Sequence, residues 1–196
     1  MPHPADAQAG MTVDAGCMDV RGAKTVFAVA LVALLGALAA PAAQSSKAGT
    51  RVALSSLESG VLTDLNKIRA QHGLQPVKIS ARLTASAAQH SQEMGADGYF
   101  EHNSHDGTAF WKRIGRWYGS NGYSYWSVGG NLLWSSPQVD PAGAMQLWMN
   151  SPEHRANILN ARWREIGISA MHFASAPGTF KGLEVTIITT DFGVRR

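Results

Sequence analysis

The sequence WMNSPEHRANIL, residues 148–159, joins two helical segments at a Ser-Pro step. Residues 141–149 before that step place apolar side chains on one face, which predicts a helix. Ser151 is the predicted N-cap of the next helix, because Pro152 fits the first helical position and Glu153 lies near the positive helix end. A polar run that contains a histidine therefore opens this second helix.

Three further helices are predicted upstream. Apolar residues recur at steps of three and four, the spacing of one helix face, at Leu54, Leu57, Val61, Leu65 and Ile68 and again at Leu83, Ala87, His90 and Met94. Ser80 is the predicted N-cap of the second run, and Gly95 and Gly98 follow its end. A short helix is predicted over residues 108–117, and the Gly-, Ser- and Tyr-rich stretch 119–130 is predicted to be a loop.

The end of the chain changes to the period of two that is typical of strands. Residues 165–174 and 183–192 are rich in Ile, Val and Thr, and a turn at Pro177-Gly178 separates them. Both faces of each run carry apolar residues, so we expect helices above and below the strand pair. The sequence therefore predicts an α/β fold, a three-layer α-β-α sandwich with a small antiparallel central sheet.

The start of the chain is typical of an export signal. Residues 25–40 form an apolar run, Arg21 and Lys24 precede it, and small residues follow it. The run is shorter than the roughly 20 residues that span a bilayer. We expect residues 1–43 to be an N-terminal extension plus signal peptide and residues 44–57 to be a linker and helix start. The mature protein is then extracellular or periplasmic, with no membrane span after cleavage.

Two details of this leader stay open. Residues 1–17 precede the basic segment, whereas a signal peptide normally begins with it, so Met18 is an alternative start. Small residues around Ala43 offer a cleavage site, and an uncleaved N-terminal anchor is the alternative to cleavage.

Composition excludes several classes of protein. The chain has 196 residues, 45% hydrophobic and 16% charged, which is enough apolar material for a core and too little charge for a disordered chain. A single cysteine, Cys17, excludes an intrachain disulfide and a cysteine-rich zinc module. The net charge is only +3, and the basic run of Lys112, Arg113 and Arg116 is too short to indicate nucleic-acid binding.

Two polar clusters hold the candidate chemical groups, residues 99–107 (YFEHNSHDG) and residues 151–157 (SPEHRAN). His102 and His105 are metal-ligand side chains, but the chain has no HExxH motif, so their spacing alone does not establish a metal site. A serine activated by His102 or His154 is the second alternative, although the GxSxG and SxxK motifs are absent.

Each candidate group also has a structural interpretation. His90 lies on an apolar helix stripe and is predicted to be a hydrogen-bonded core histidine. His154 lies in the first turn of a helix, which favours a neutral imidazole. The aromatic residues either cover a loop-rich region or line an open groove for apolar or sugar-like ligands; they are Trp111, Trp117, Tyr118, Tyr123, Tyr125, Trp126 and Trp134.

Taken together, the motifs have a recognisable order, NKIR (66–69), YFEH (99–102), GGNL (129–132), WMNSPEHRANIL (148–159) and EIG (165–167). This order resembles the CAP superfamily of cysteine-rich secretory, antigen 5 and pathogenesis-related proteins, in the compact bacterial form called the SCP domain. The resemblance covers residues 58–193, which we expect to form the domain.

The resemblance implies an α-β-α sandwich with a central cleft, in which many members bind a divalent cation between two His and two Glu. His102 and His154 match the two histidines. The acidic positions fall on Gly130 and near Ser151, so both acids are missing. Two imidazoles completed by water would hold an ion such as zinc only weakly, and would hold calcium or magnesium poorly.

Three functions are compatible with these residues. The first is a secreted bacterial protein that binds a lipid, an envelope component or a partner protein through the cleft, with Asn131, Arg155 and Trp126 as cleft residues. The second is a hydrolase that uses His102 or His154 as general base, with or without a metal-bound water. The third is a purely structural role for the two histidines. We favour binding, because the scaffold is intact while the acids are absent.

Overall fold

The computed structural model describes residues 11–13 and 52–196. In this part of the chain the elements follow one another as β1 (Met11–Val13), α1 (Ser56–Gln71), β2 (Lys78–Ile79), α2 (Ala81–Asp97), α3 (Phe110–Trp117), β3 (Trp126–Ser135), α4 (Pro141–Asn150), α5 (Pro152–Ile158), β4 (Glu165–Ala176) and β5 (Leu183–Arg195). One turn of 3-10 helix, Gly178–Phe180, joins β4 to β5. The predicted apolar signal segment and its cleavage site lie outside the described residues.

The helix ends follow local sequence chemistry. Ser55 begins α1 with a capping box, in which its hydroxyl accepts from Glu58 N at 3.2 Å and its N–H donates to Glu58 Oε2 at 2.8 Å. Helix α2 ends at Gly98, whose φ of +72° is the left-handed conformation that glycine adopts easily. Ser80 and Ser151 take the predicted N-cap positions, but their side chains form no capping hydrogen bond within the described part of the chain.

The central sheet has the strand order β1-β3-β5-β4-β2. Strands β1, β3, β5 and β4 pair antiparallel, although only the β4–β5 pair was predicted, whereas the two-residue strand β2 runs parallel to β4. The predicted strand pair is present and each strand is longer than expected, with β4 and β5 joined through ladder contacts from Glu165↔Gly193 to Ala176↔Leu183.

Strand β3 corrects the predicted loop over residues 119–130. It begins at Trp126 and is buried from Ser127 to Leu133, between β1 and β5. Gly129 and Gly130 disfavour a strand when propensity alone is considered, because glycine is depleted in strands. Pairing with a neighbour on each side outweighs that local preference.

Helices cover both faces of the sheet, which confirms the three-layer α-β-α sandwich. On one face, α1 and α4 pack on the side chains of Leu133, Ile168 and Ile188. On the other face, α2 and α3 cover two smaller apolar clusters that include Leu132 and Val128. None of the described helices is long and apolar enough to cross a bilayer.

Candidate functional site

The segment that carries His102 follows α2 and is hydrogen-bonded to a buried histidine of that helix. The His90 side chain is 0% exposed, and its Nε2–H donates to the carbonyl of Glu101 at 2.8 Å. The His102 ring lies edge-on to Phe110 at a centroid distance of 6.0 Å, and Phe110 N donates to Asn103 Oδ1 at 3.1 Å. Contacts to α2 and α3 therefore fix the segment on both sides of His102.

His90 is a hydrogen-bonded core histidine, as its position on the helix stripe predicts. Burial is the main cause that lowers its pKa well below 6.5, and the nearby Arg113 guanidinium lowers it further. The ring is therefore neutral at neutral pH. Because Nε2 donates to a carbonyl, Nδ1 carries the lone pair, and the Tyr99 hydroxyl lies 3.5 Å from it.

A polar network continues from His90 along the exposed edge of α2. Glu93 accepts from the Tyr99 hydroxyl at 3.3 Å and from Gln89 Nε2 at 2.6 Å, and Trp117 Nε1 donates to Gln89 Oε1 at 2.7 Å. Burial and the Glu93 carboxylate raise the pKa of Tyr99, so its hydroxyl remains a donor. The network links the His102 segment to the end of α3.

His154 lies on α5, which the structure fixes to strand β3. The side chain is 0% exposed. Asn131 Nδ2 donates to the carbonyl of His154 at 3.2 Å, and Asn157 Nδ2 donates to Asn131 Oδ1 at 2.9 Å. Trp163 Nε1 completes the arrangement by donating to Asn157 O and Oδ1, both at 3.0 Å. The asparagines of the GGNL and HRANIL motifs are therefore buried structural groups.

The NKIR motif is also structural. Asn66 pairs with the Val77 backbone through Nδ2 and Oδ1, at 3.1 and 2.9 Å. The buried guanidinium of Arg69 donates to the carbonyls of Ile158 and Asn160, at 2.7 and 3.0 Å. Helix α1 thereby holds the end of α5 in place.

A buried ion pair that the sequence analysis missed lies between the sheet and the helices α2 and α3. Arg113 Nη1 is 3.2 Å from Asp191 Oδ2, and both side chains are 1% exposed. Ser86 Oγ donates to the same carboxylate oxygen at 2.7 Å. The signal was present in the sequence, because Asp191 is an acid in the apolar and Thr-rich run 185–192, and a buried carboxylate requires a partner.

Gly130, the position of a missing family acid, lies directly opposite Asp191 in the β3–β5 ladder. A Cβ on Gly130 would lie 3.3 Å from Asp191 Oδ1 and 3.1 Å from the Thr190 carbonyl. The carboxylate of the neighbouring strand therefore lies next to the space that a glutamate side chain on β3 would need.

The remaining predicted cleft residues do not come together. Asn131 faces α5, whereas Trp126 packs toward Gly115 of α3 and belongs to the opposite face, because residues separated by an odd number of positions alternate across a strand. Arg155 is exposed on α5, as are Glu101 and Glu153 on their segments.

These donor groups do not fit the cation that the resemblance implies. Within residues 11–13 and 52–196, no three His, Cys, Asp or Glu side chains lie close enough to hold a metal ion together. The acidic positions are occupied by Gly130 and Ser151, and the nearby carboxylate of Asp191 is bonded to Arg113 and Ser86. An ion on His102 and His154 would lack the oxygen ligands of the family site.

Two proteins from Bacillus subtilis (strain 168) are similar to this chain in sequence. The uncharacterized protein YkwD is 34% identical over 123 residues, which is 62% of this chain and 45% of that protein. The uncharacterized membrane protein YlbC is 28% identical over 134 residues, 68% of this chain and 36% of that protein. The chain therefore matches less than half of the length of either relative.

Solved structures agree on the fold. An outer surface protein from Borrelia burgdorferi matches with a TM-score of 0.54 and 18% identity, over 69% of this chain and 90% of that chain. An extracellular protein containing an SCP domain from Bacillus anthracis matches with a TM-score of 0.51 and 24% identity, over 74% of this chain and 45% of that chain.

The model of the cysteine-rich secretory protein family, CAP, matches residues 62–181. That range contains His102, Gly130 and His154 and extends from α1 to the turn before β5. The match covers more than half of the chain and agrees with the α-β-α sandwich, so the chain is a bacterial-type member of the cysteine-rich secretory protein (CAP) family.

Proposed function

We propose that this protein is a secreted binding domain that holds a component of the cell envelope in the cleft beside His102 and does not turn it over. The observation that carries the proposal is the burial and pairing of the Asp191 carboxylate. Asp191 is 1% exposed and is bonded to both Arg113 and Ser86. An acid held in this way is paired and shielded from solvent, so it is a poor general base for a water molecule beside a ligand.

The two histidines support the same conclusion. His154 is 0% exposed, whereas a general base must reach the proton that it removes. His102 is partly exposed, but the family position for an acid, which could orient a histidine as in a hydrolase, is Gly130 here. A binding role requires neither histidine to titrate during a reaction.

The segment that carries His102 is suited to binding because its groups are held in place before a ligand arrives. His90 anchors the Glu101 carbonyl, and Asn103 anchors the start of α3, so His102 lies on a fixed segment. His105 is exposed on the same segment, and its ring lies 5.2 Å from the ring of Tyr99. Pre-organised polar and aromatic groups reduce the entropic cost of binding.

Export to the envelope is supported by the predicted leader at residues 25–40 and by the solved relatives. One of these is an outer surface protein, and another is an extracellular protein. A location outside the cytoplasm would bring the domain into contact with lipids, wall polymers and surface proteins.

The test uses the purified protein and three separate probes, namely vesicles of total bacterial lipid, isolated wall polysaccharide and solubilised envelope protein. Wild type is expected to bind one probe saturably, and His102→Ala is expected to weaken that binding about fivefold. His72→Ala is the matched control, because His72 is an exposed histidine at the end of α1. Absence of binding to all three probes, or equal binding by wild type and His102→Ala, would overturn the proposal.

A further inference from the structure

Exposed aromatic rings and cations occur on α3 and in the loop that follows it, where Arg195 packs against Tyr118 and Tyr123. We call this region the aromatic-basic face and define it by Lys112, Arg116 and Trp117 of α3, Tyr123, Arg195 and Arg196. Of the three large hydrophobic side chains exposed in the described part of the chain, two lie here, Trp117 at 43% and Tyr123 at 51%.

Neighbouring side chains fix the orientation of both exposed rings. Trp117 Nε1 donates to Gln89 Oε1 at 2.7 Å, which fixes the orientation of the indole. The guanidinium of Arg195 lies 5.3 Å from the Tyr123 ring and 3.9 Å from the buried Tyr118 ring, so it packs against both. Rigid exposed aromatic side chains lose little conformational entropy when a ligand covers them.

The chain end joins this face through backbone pairing. Tyr125 N donates to the Arg196 carbonyl at 2.8 Å, and Arg196 N donates back at 3.1 Å. Ser124 Oγ also donates to the Arg196 carbonyl at 3.0 Å, and the Arg196 guanidinium lies 4.7 Å from the Tyr125 ring. Arg195 and Arg196 are therefore fixed beside the segment that carries Tyr123.

The charge of the face is positive. Lys112 and Arg116 lie four residues apart on the outer side of α3, and Arg116 is exposed, as is Lys112. The acids close to this face are Asp106, Glu165 and Glu93, which accepts from the Gln89 side chain beside Trp117. Hydrogen bonds from Thr108 and the charge of Arg116 lower the pKa of Asp106, and Glu165 accepts from the Tyr118 hydroxyl. Cations therefore outnumber acids on this face.

We propose that the aromatic-basic face binds an acidic polysaccharide, with sugar rings stacked on Trp117 and Tyr123 and with carboxylate or phosphate groups paired to Arg116 and Lys112. Aromatic rings present an apolar surface that matches the C–H face of a sugar, and guanidinium groups pair with carboxylate and phosphate. Sugar hydroxyls find partners in the polar loop between the two rings, which includes Ser120 and Asn121.

A polysaccharide fits these observations better than a membrane. Insertion into a bilayer would use a contiguous apolar surface. The third exposed large hydrophobic side chain in the described chain is Leu183, at the start of β5, whereas the aromatic-basic face lies at the end of β5. The two exposed rings alternate with polar and cationic side chains, which suits a hydroxylated and charged chain.

The test measures binding of the full-length protein to polygalacturonate, with dextran, polyphosphate and phosphatidylglycerol vesicles as comparison probes. We expect binding to polygalacturonate that weakens with added salt, and little binding to neutral dextran. Trp117→Ala, Tyr123→Ala and Arg116→Glu are each expected to weaken binding about fivefold to tenfold. Trp117→Phe, which keeps a ring, should retain most of the affinity.

Matched controls separate this face from general charge and from the cleft. Arg82→Glu changes an exposed arginine on α2, and Leu183→Ala changes an exposed hydrophobic side chain, so both should bind as wild type does. Tyr123→Ala tests this face alone, because Tyr123 belongs neither to the His102 segment nor to the network that joins Trp117 to Glu93. Failure of the cleft proposal therefore leaves the Tyr123→Ala result unchanged.

Three outcomes would overturn the proposal. The first is unchanged affinity in both aromatic variants while they remain folded by circular dichroism. The second is binding of polyphosphate as tight as that of polygalacturonate and insensitive to Trp117→Ala, which would indicate charge alone. The third is binding to the phosphatidylglycerol vesicles only, which would indicate a membrane surface.

Discussion

Gly130 faces Asp191 across the β3–β5 ladder, and the Asp191 Oδ1 atom is 3.3 Å from the position of a Cβ on Gly130. The family resemblance places a glutamate at this point of β3. Directly paired residues of two strands project to the same face, so a carboxylate on β5 occupies the region that an acid on β3 would reach. Arg113 obtains its counter-ion from Asp191 without any side chain at position 130.

Removing one member of the buried pair should be strongly destabilising. Asp191→Asn leaves the Arg113 charge buried without its counter-ion and is expected to lower the free energy of unfolding by about 3 to 5 kcal/mol. Urea denaturation measures this change. Glu184→Gln is the control, because the His172–Glu184 pair is about half exposed and should contribute less than about 1 kcal/mol. Similar losses in the two variants would contradict a buried ion pair between Arg113 and Asp191.

Restoring the family acid should be unfavourable unless Asp191 is removed at the same time. Gly130→Glu inserts a second carboxylate beside Asp191 and crowds the Thr190 carbonyl, so a loss of about 1 to 3 kcal/mol is expected. In the double variant Gly130→Glu/Asp191→Gly, the new carboxylate can pair with Arg113, and part of the stability should return. Thermal melting of wild type, Gly130→Glu, Asp191→Gly and the double variant tests this, and strictly additive losses would refute the exchange.

Stability should fall in mild acid because of His90. Its folded-state pKa lies below the ordinary 6.5, so the unfolded chain binds the proton more readily. The contribution of neutral His90 to stability is fully present above pH 6.5 and is lost as the pH falls below that value. While the folded protein keeps His90 neutral, each pH unit below 6.5 lowers the free energy of unfolding by about 1.4 kcal/mol. Arg113 and His102 oppose the charged ring, whereas Glu93 lies 3.7 Å from Nδ1 and favours it.

The measurement for His90 is the urea midpoint at pH 7.5 and at pH 5.5. His90→Gln removes the titrating group but keeps a donor for the Glu101 carbonyl, so the difference between the two midpoints should shrink. An unchanged pH dependence in this variant would show that another group is responsible.

Two glycines should respond in opposite ways to the same change. A Cβ on Gly167 would overlap the backbone of Leu83 and Thr84, where α2 lies directly on β4, so Gly167→Ala should cost about 3 kcal/mol or more. A Cβ on Gly115 in α3 meets only Trp126 at 3.7 Å, so Gly115→Ala should be neutral or stabilise by up to about 1 kcal/mol. Equal melting temperatures for the two variants would disprove the close approach of α2 to the sheet.

The sequence pattern predicted those elements whose local preference and burial agree. Helices α1 and α2 carry one apolar stripe each, and β4 and β5 carry β-branched residues on both faces, so their periods identified them and the layered arrangement. Strand β3 was missed because Gly129 and Gly130 favour a loop locally, and its pairing partner β5 lies more than 50 residues away in the chain. Long-range pairing leaves no periodic signal in a short Gly-containing segment.

The site was predicted less completely than the fold. Family motifs identified His102 and His154, but spacing cannot show that Asn131 and Trp126 project to opposite faces of a strand that was itself predicted as loop. The Arg113–Asp191 pair joins residues 78 positions apart, so only the rule that a buried acid needs a partner pointed toward it. Which strand supplies the carboxylate depends on the register of the sheet.

The most direct test of the central claim, that the cleft binds without catalysis, is a comparison of hydrolysis rates for wild type and His102→Gln. Initial rates are measured for ester, peptide and glycoside substrates, with and without added zinc. The account predicts rates that are equal in the two proteins and no higher than the buffer rate. A wild-type rate above buffer that is lost in His102→Gln, while both proteins remain folded, would contradict it and identify His102 as a catalytic residue.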